Sequence, residues 1–182
     1  MTPPEYIQLK AFARIDGALL SLLWAFSFAC YIIGLTNGAM SIVALVLALS
    51  SPILAAQRLR LFRDHVRDGV ISFMRSWGYV VLMFFYGSLL FALLVFAYFS
   101  FLDQGYVLNV IGQMLETPEM AEVLKQYGME QQIGQMLEEL KTVRPIDVAV
   151  NLLTSNIMLG MVVGLPIAAL LRSNKQVERK TK

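Results

Sequence analysis

From Gly17 to Gln57 the chain carries no charged side chain, a run about twice the ~20 residues a helix needs to cross a hydrocarbon core about 30 Å thick. That length is too great for one span. Leu35-Thr36-Asn37-Gly38 divides it with a tight-turn signal, so it reads as a helical hairpin with arms at about 17–35 and 39–56. Pro52 falls near the end of the second arm, where a kink is tolerable because neighbouring groups re-satisfy the freed backbone. Two further charge-free stretches, at about 77–102 and 148–171, bring the spans to four. The third corresponds to ~39 Å of helix and is expected to tilt or to project beyond the bilayer. Composition excludes an ordinary soluble domain, since 57% of the 182 residues are hydrophobic and 15% charged. The expectation is therefore an all-α integral membrane four-helix bundle, one membrane domain over 1–182.

Lysine and arginine outside the spans set its orientation. Lys10 and Arg14 precede the first span, Arg58, Arg60, Arg63, Arg67 and Arg75 lie between the second and third, and Arg172, Lys175, Arg179, Lys180 and Lys182 follow the fourth. With four spans all of these share one side, and only Lys125, Lys141 and Arg144 face the other. The positive-inside rule then makes both termini, the connector and the basic tail 172–182 cytoplasmic. Trp77, Tyr79 and Tyr98 near the ends of the third span suit interfacial belts, whereas Trp24 sits mid-span. A signal peptide is the competing reading of the first span, but the apolar run is too long for an h-region and no small-x-small cleavage site follows. Lipoprotein processing before Cys30 is disfavoured by the bulky Phe28. That single cysteine also excludes an intramolecular disulfide and a thiolate metal cluster.

In the connector, Leu59, Phe62, Val66, Val70 and Phe73 recur at helical spacing, with Arg60, Arg63, Asp64, Arg67 and Asp68 opposite. This pattern predicts an interfacial cytoplasmic helix with Arg60–Asp64 support one turn apart, its face of Arg58, Arg60, Arg63 and Arg67 meeting anionic lipid headgroups. Arginine's planar fork equally suits a phosphate-bearing substrate or a partner protein. His65 is the lone histidine and reads as solvated surface, because a metal site needs several ligands.

The extracytoplasmic insert, 103–147, is expected to be short and amphipathic. Thr117-Pro118-Glu119 has the form of a helix start and Gly128 of a stop. Two helices are predicted, and Met120, Tyr127, Met129 and Met136 on their apolar stripes form a candidate outer partner surface. The hexapeptide Ile-Gly-Gln-Met-Leu-Glu occurs at 111–116 and again at 133–138, too few copies for a repeat architecture.

Inside the spans there is no Asp, Glu, Lys, Arg or His, and Asp16, Asp103 and Asp147 at their ends are expected to be solvated by water. This argues against ion or proton pumping. Neither paired carboxylates, nor a nucleophile beside a base, nor a phosphate loop is present, so neither enzyme activity nor a cofactor is expected. The formal charge of +2 offers nothing to nucleic acid. In the fourth span Gly160, Gly164 and Ala168 form a small-residue ridge for helix packing or dimerisation, while Asn151, Ser155 and Asn156 add polar groups.

Phe62-Arg63-Asp64, then Gly69-Val70-Ile71-Ser72-Phe73, lead into a long aromatic span ending Phe101-Leu102-Asp103, followed by a Met/Glu-rich segment and a glycine-bearing last span. This pattern, over about 20–172, resembles a bacterial membrane family known as domain of unknown function forty-one ninety-nine. The resemblance implies a four-helix inner-membrane protein and brings no catalytic residue; its members look like companions of envelope or glycan-related membrane proteins. The function expected is a noncatalytic scaffold or accessory subunit of a bacterial inner-membrane envelope complex, bound to anionic lipids and to a membrane-protein partner or another copy of itself. The alternative is a small transporter, channel or lipid-handling protein built by oligomerisation around Asn151, Ser155 and Asn156.

Overall fold

A computed structural model describes residues 3–173. The helices are α1 (Pro3–Gly34), α2 (Gly38–Leu49), α3 (Ser51–Val66), α4 (Phe73–Ala97) with a π-helical turn at Tyr98–Leu102, α5 (Tyr106–Leu115), α6 (Pro118–Gln126), α7 (Glu130–Thr142) and α8 (Pro145–Leu171). No strand occurs among the described residues, which hold one isolated bridge between Ile71 and Ser173. Four helical stretches, Pro4–Gly34, Gly38–Val66, Phe73–Leu102 and Pro145–Leu171, are long and apolar enough to cross a membrane. The chain is an all-α membrane bundle.

The first turn forms where the sequence puts it. Asn37 adopts an extended conformation and its side-chain oxygen accepts from the Ala39 N–H at 3.1 Å, capping α2. Ser41 Oγ reaches back to the Gly34 carbonyl at 2.7 Å. A Cβ on Gly34 would lie 2.6 Å from that oxygen, so α1 and α2 can approach this closely only with glycine there.

Pro52 divides the second span into α2 and α3. Its missing N–H leaves the Ala48 carbonyl without the usual i−4 donor, and Ser51 Oγ donates to that carbonyl instead, at 2.6 Å. The same hydroxyl accepts from the buried Trp24 indole N–H of α1 at 2.8 Å. Ser27 Oγ of α1 adds a bond to the Ala44 carbonyl at 2.8 Å. Trp24 is thus mid-span for a packing reason, wedged against Phe84 and Phe91 at centroid distances of 5.6 and 5.7 Å. Ser51→Ala strips a donor from one carbonyl and the acceptor from one indole, so it should destabilise by about 1–2 kcal/mol. Trp24→Phe should cost less through hydrogen bonding, since Ser51 keeps its bond to Ala48. Thermal unfolding in a mild detergent compares the two.

Helix α4 is the axis of the bundle, with α1 on one flank and α8 on the other, while α2 packs on α1. Close approach is set by small residues on both flanks. Gly17 lies against Gly87 and the Met83 carbonyl, so that a Cβ at Gly17 would come within 2.8 Å of that oxygen. Gly160 and Gly164 are buried on α4 against Phe84, and against Trp77 and Val80, and Ala168 is fully buried. The ridge read from the fourth span therefore faces inward.

The connector differs from its expected form. Helix α3 follows α2 after Ser50 and ends at Val66, with Asp68 and Gly69 in positive φ turning the chain and Val70–Ser72 leading into α4. It is not a separate helix on the bilayer surface, because Leu59 and Phe62 bury themselves in the bundle core. Helix α3 closes this end by touching α1, α4 and α8. At the opposite end the insert forms three helices, one more than expected: α5 takes up the segment that opens with Tyr106. Helices α5, α6 and α7 pack mainly on one another.

Candidate functional site

The polar residues that the bundle gathers lie at the connector end. Asp16 lies near the middle of α1, faces α3 and α4 and is 1% exposed. Arg58 of α3 donates to it through Nε at 2.6 Å, and the fully buried Tyr79 hydroxyl of α4 donates to its other oxygen. One carboxylate thus joins three helices. The expectation of a water-solvated Asp16 is corrected: the helix does not begin at the apolar run but at Pro3, so Asp16 is carried inside the bundle. Tyr79 is likewise no belt residue, since its ring stacks on Phe62 at 4.7 Å. Gly17 and Gly87 permit the approach of α1 to α4 beside this group. A pocket of about 190 Å³, lined by Phe12, Asp16, Arg58, Leu61, Phe62, His65 and Val66, opens next to it.

A second cluster lies below the first. Glu5 of α1 pairs with Arg67 at 2.9 Å and with Arg75 at 3.0 Å. Arg63 grips Asp64 with two bonds of 2.6 and 3.1 Å and reaches the Leu171 carbonyl at the end of α8 at 3.0 Å. Ile71 and Ser173 exchange backbone bonds of 2.9 and 3.0 Å, which tie the connector to the end of α8. Of the arginines expected at headgroups, Arg58, Arg63 and Arg67 are therefore engaged within the protein, and Arg60 is exposed. Asp64 pairs with its neighbour Arg63 instead of with Arg60. The tail residues Lys175, Arg179, Lys180 and Lys182 lie outside the described residues. Glu5→Gln should loosen the first turns of α1, read as faster amide hydrogen exchange over 4–12, with a stability cost under about 1 kcal/mol because these pairs are partly solvated.

This arrangement positions helices and presents no nucleophile with an adjacent base. His65 is exposed, its Nδ1 3.2 Å from the Leu61 carbonyl. No group of three or more histidine, cysteine, aspartate or glutamate side chains able to hold a metal ion occurs among the described residues.

At the other end Asp103 is also buried, against expectation, because the π-helical turn delivers its carboxylate to the start of α5, where it accepts from Gly105 N–H at 3.1 Å and Val107 N–H at 3.2 Å. Asp147 is exposed as expected and forms a capping box with Arg144. Met120, Tyr127, Met129 and Met136 are all exposed on α6, α7 and the turn between them. The two copies of the hexapeptide sit on α5 and α7 and face each other: Gly112 and Glu116 of one copy and Gly134 and Glu138 of the other line a single groove of about 610 Å³.

Sequence reasoning missed the Asp16–Arg58–Tyr79 group, although a signal was present. Asp16 and Arg58 are the two charges that bound the long apolar run. A hairpin with arms of similar length brings its two ends together, so an acid at one end and a base at the other are placed to meet. No curated protein and no solved structure matches this chain. Residues 16–173 do match a family model, that of a protein of unknown function (DUF4199), and the chain belongs to that family.

Proposed function

We propose that the protein is a noncatalytic scaffold or accessory subunit of a bacterial inner-membrane envelope complex, with both termini and the connector cytoplasmic and α5–α7 on the outer side. The observation that carries this reading is the insert itself: three amphipathic helices pack mainly on one another and leave Met120, Tyr127, Met129 and Met136 exposed. Flexible methionine side chains beside an aromatic ring adapt to a partner surface. The bundle supports the same reading, because its buried carboxylates are consumed in bonds between and within helices and form no polar path along a span. Arg60, exposed on α3, is placed to meet anionic headgroups on the inner face. The basic bias of the connector end supports the cytoplasmic assignment.

Purification in a mild detergent, followed by mass spectrometry, tests the proposal against the transporter or channel alternative. A scaffold co-purifies with a membrane protein, and a Tyr127→Asp, Met136→Asp double variant, which places charge on the exposed stripe, releases that partner while the bundle stays folded. A partnerless monomer that moves ions or lipids in proteoliposomes overturns it.

A further inference from the structure

Holding Asp16 uses only part of Arg58. Its Nε donates to Asp16 Oδ1 at 2.6 Å and Nη2 lies 2.6 Å from the same oxygen, while the Tyr79 hydroxyl donates to Oδ2. Both carboxylate oxygens are thus engaged. A guanidinium carries five N–H groups, and Nη1 of Arg58 makes no hydrogen bond among the described residues. The side chain is 29% exposed and lines the pocket of about 190 Å³ between α1 and α3. His65 lines the same pocket, and Arg58, Leu61 and His65, at spacings of three and four, share one face of α3. The His65 Nδ1 lies 3.2 Å from the Leu61 carbonyl. A carbonyl only accepts, so Nδ1 carries the hydrogen and Nε2 is left for the pocket.

What the pocket offers a ligand is therefore donors, with its one carboxylate already taken. The charge around it has the same sense. Over 3–16, 58–75 and 172–173, the segments that meet at this end, eight lysines and arginines stand against four carboxylates, and that surplus raises the local concentration of anions. The remaining walls, Phe12, Leu61, Phe62 and Val66, are apolar, and an apolar wall strengthens a charge-assisted bond beside it. The volume is that of about six waters at ~30 Å³ each and lies below the ~300–1,000 Å³ of sites for drug-sized ligands. A small charged group fits where a whole cofactor does not. A phosphate spreads its charge over diverging oxygens, so one group can accept from an arginine fork and from an imidazole together. Beside the pocket on α1, Ile15 and Leu19 are exposed and apolar, so the rim also suits a phosphate that is carried on a lipid.

We propose that this pocket binds a phosphate group, with Arg58 Nη1 and His65 Nε2 as donors, Phe12 and Leu61 as apolar walls, and Asp16 and Tyr79 as the residues that hold Arg58 in position. Bound phosphate keeps the imidazole in its charged form, with hydrogens on both nitrogens. Inorganic phosphate and a lipid phosphodiester offer this chemistry alike. The site is independent of the scaffold reading, since it lies at the opposite end of the bundle from α5–α7.

The test uses the full chain in maltoside micelles, where its single histidine gives one imidazole signal by NMR. Inorganic phosphate is titrated in one arm and short-chain phosphatidylglycerol in the other, at constant pH and ionic strength. A saturable shift of the imidazole signal towards its charged form is expected. Its appearance with phosphate alone marks a free ion, with phosphatidylglycerol alone a lipid headgroup, and with both the shared group. Leu61→Trp, which fills the pocket from an exposed position, should abolish the shift. His65→Gln should weaken binding, read from the ligand's own phosphorus signal, by about tenfold, the worth of one hydrogen bond to a charged group. Both variants leave the Asp16–Arg58 pair in place, so each reports on the pocket with the three-helix joint intact. Arg14→Gln removes an exposed charge outside the pocket and should change nothing. A signal that moves in neither arm overturns the proposal, as does a shift that survives Leu61→Trp or that falls as far with Arg14→Gln as binding falls with His65→Gln.

Discussion

Arg58→Leu is expected to destabilise the bundle by about 3–5 kcal/mol, the usual cost of leaving one member of a buried ion pair uncompensated. In detergent this should appear as a fall of on the order of 10 °C in the apparent melting temperature. The effect has a direction that the geometry fixes. Asp16 is 1% exposed and anchored mid-helix, so it stays poorly solvated when its partner is lost, whereas the Arg58 side chain is 29% exposed and long enough to snorkel. Asp16→Leu should therefore be milder than Arg58→Leu. The double replacement should recover much of the loss, because two apolar groups in place of a buried pair are often neutral or better. Tyr79→Phe removes one donor to the carboxylate and leaves Arg58 in place, so about 1–2 kcal/mol is expected. If Arg58→Leu melts like the parent protein, the carboxylate is not the joint between α1, α3 and α4.

Gly160→Val is the second large effect. A Cβ at this position overlaps Cβ and Cγ of Phe84, and the first of these is fixed by the α4 backbone and unable to swing aside. Helix α8 must then lift off α4 along the face that also buries Gly164 and Ala168. Overpacking of this kind costs about 1–3 kcal/mol, and here it should exceed the upper value since the neighbour is nearly backbone. Gly112→Ala and Gly134→Ala are the matched controls. Neither glycine has an atom within 4 Å of the added methyl, and in a helix alanine is favoured over glycine by about 0.5–1 kcal/mol. Those two variants should be neutral or slightly stabilised. A Gly160→Val protein that keeps its melting temperature but changes from dimer to monomer on size exclusion would place the ridge at an interface between copies instead.

The matched family leaves function open, so the site carries the argument, and much of that site was hidden from pattern reading. Span number, the Leu35–Gly38 turn and the helix start at Pro118 were legible because each depends on local chemistry: uninterrupted apolar length, a residue able to cap, a proline that fits the first helical turn. The π-helical turn after α4 was not, since nothing local separates an i+5 bond from an i+4 bond until Asp103 is drawn inward to cap α5. The connector was misread because a stripe at helical spacing looks the same whether it rests on lipid or on protein. Only the neighbours decide, and Leu59 and Phe62 find α1 and α4.

The charge arithmetic had a matching limit. Sorting lysine and arginine by loop told which residues share an end, and the contacts at that end agree: Glu5 with Arg67 and Arg75, Arg63 with the end of α8. It did not tell which of them face water. A pair far apart in sequence is invisible to spacing rules, and Asp16 and Arg58 stand at the two feet of a hairpin.

What the sequence determined by itself is the solvent and the secondary structure, because transfer of apolar side chains to lipid and the need to satisfy every backbone group there are properties of each segment alone. What only the tertiary structure decided is the use of each polar group: Asp16 as a three-helix joint, and Trp24 with Ser51 as the repair of the Pro52 gap. The reason is that a polar group in a low-dielectric interior is governed by what lies within about 3 Å of it, and in a helical bundle those neighbours come from other helices.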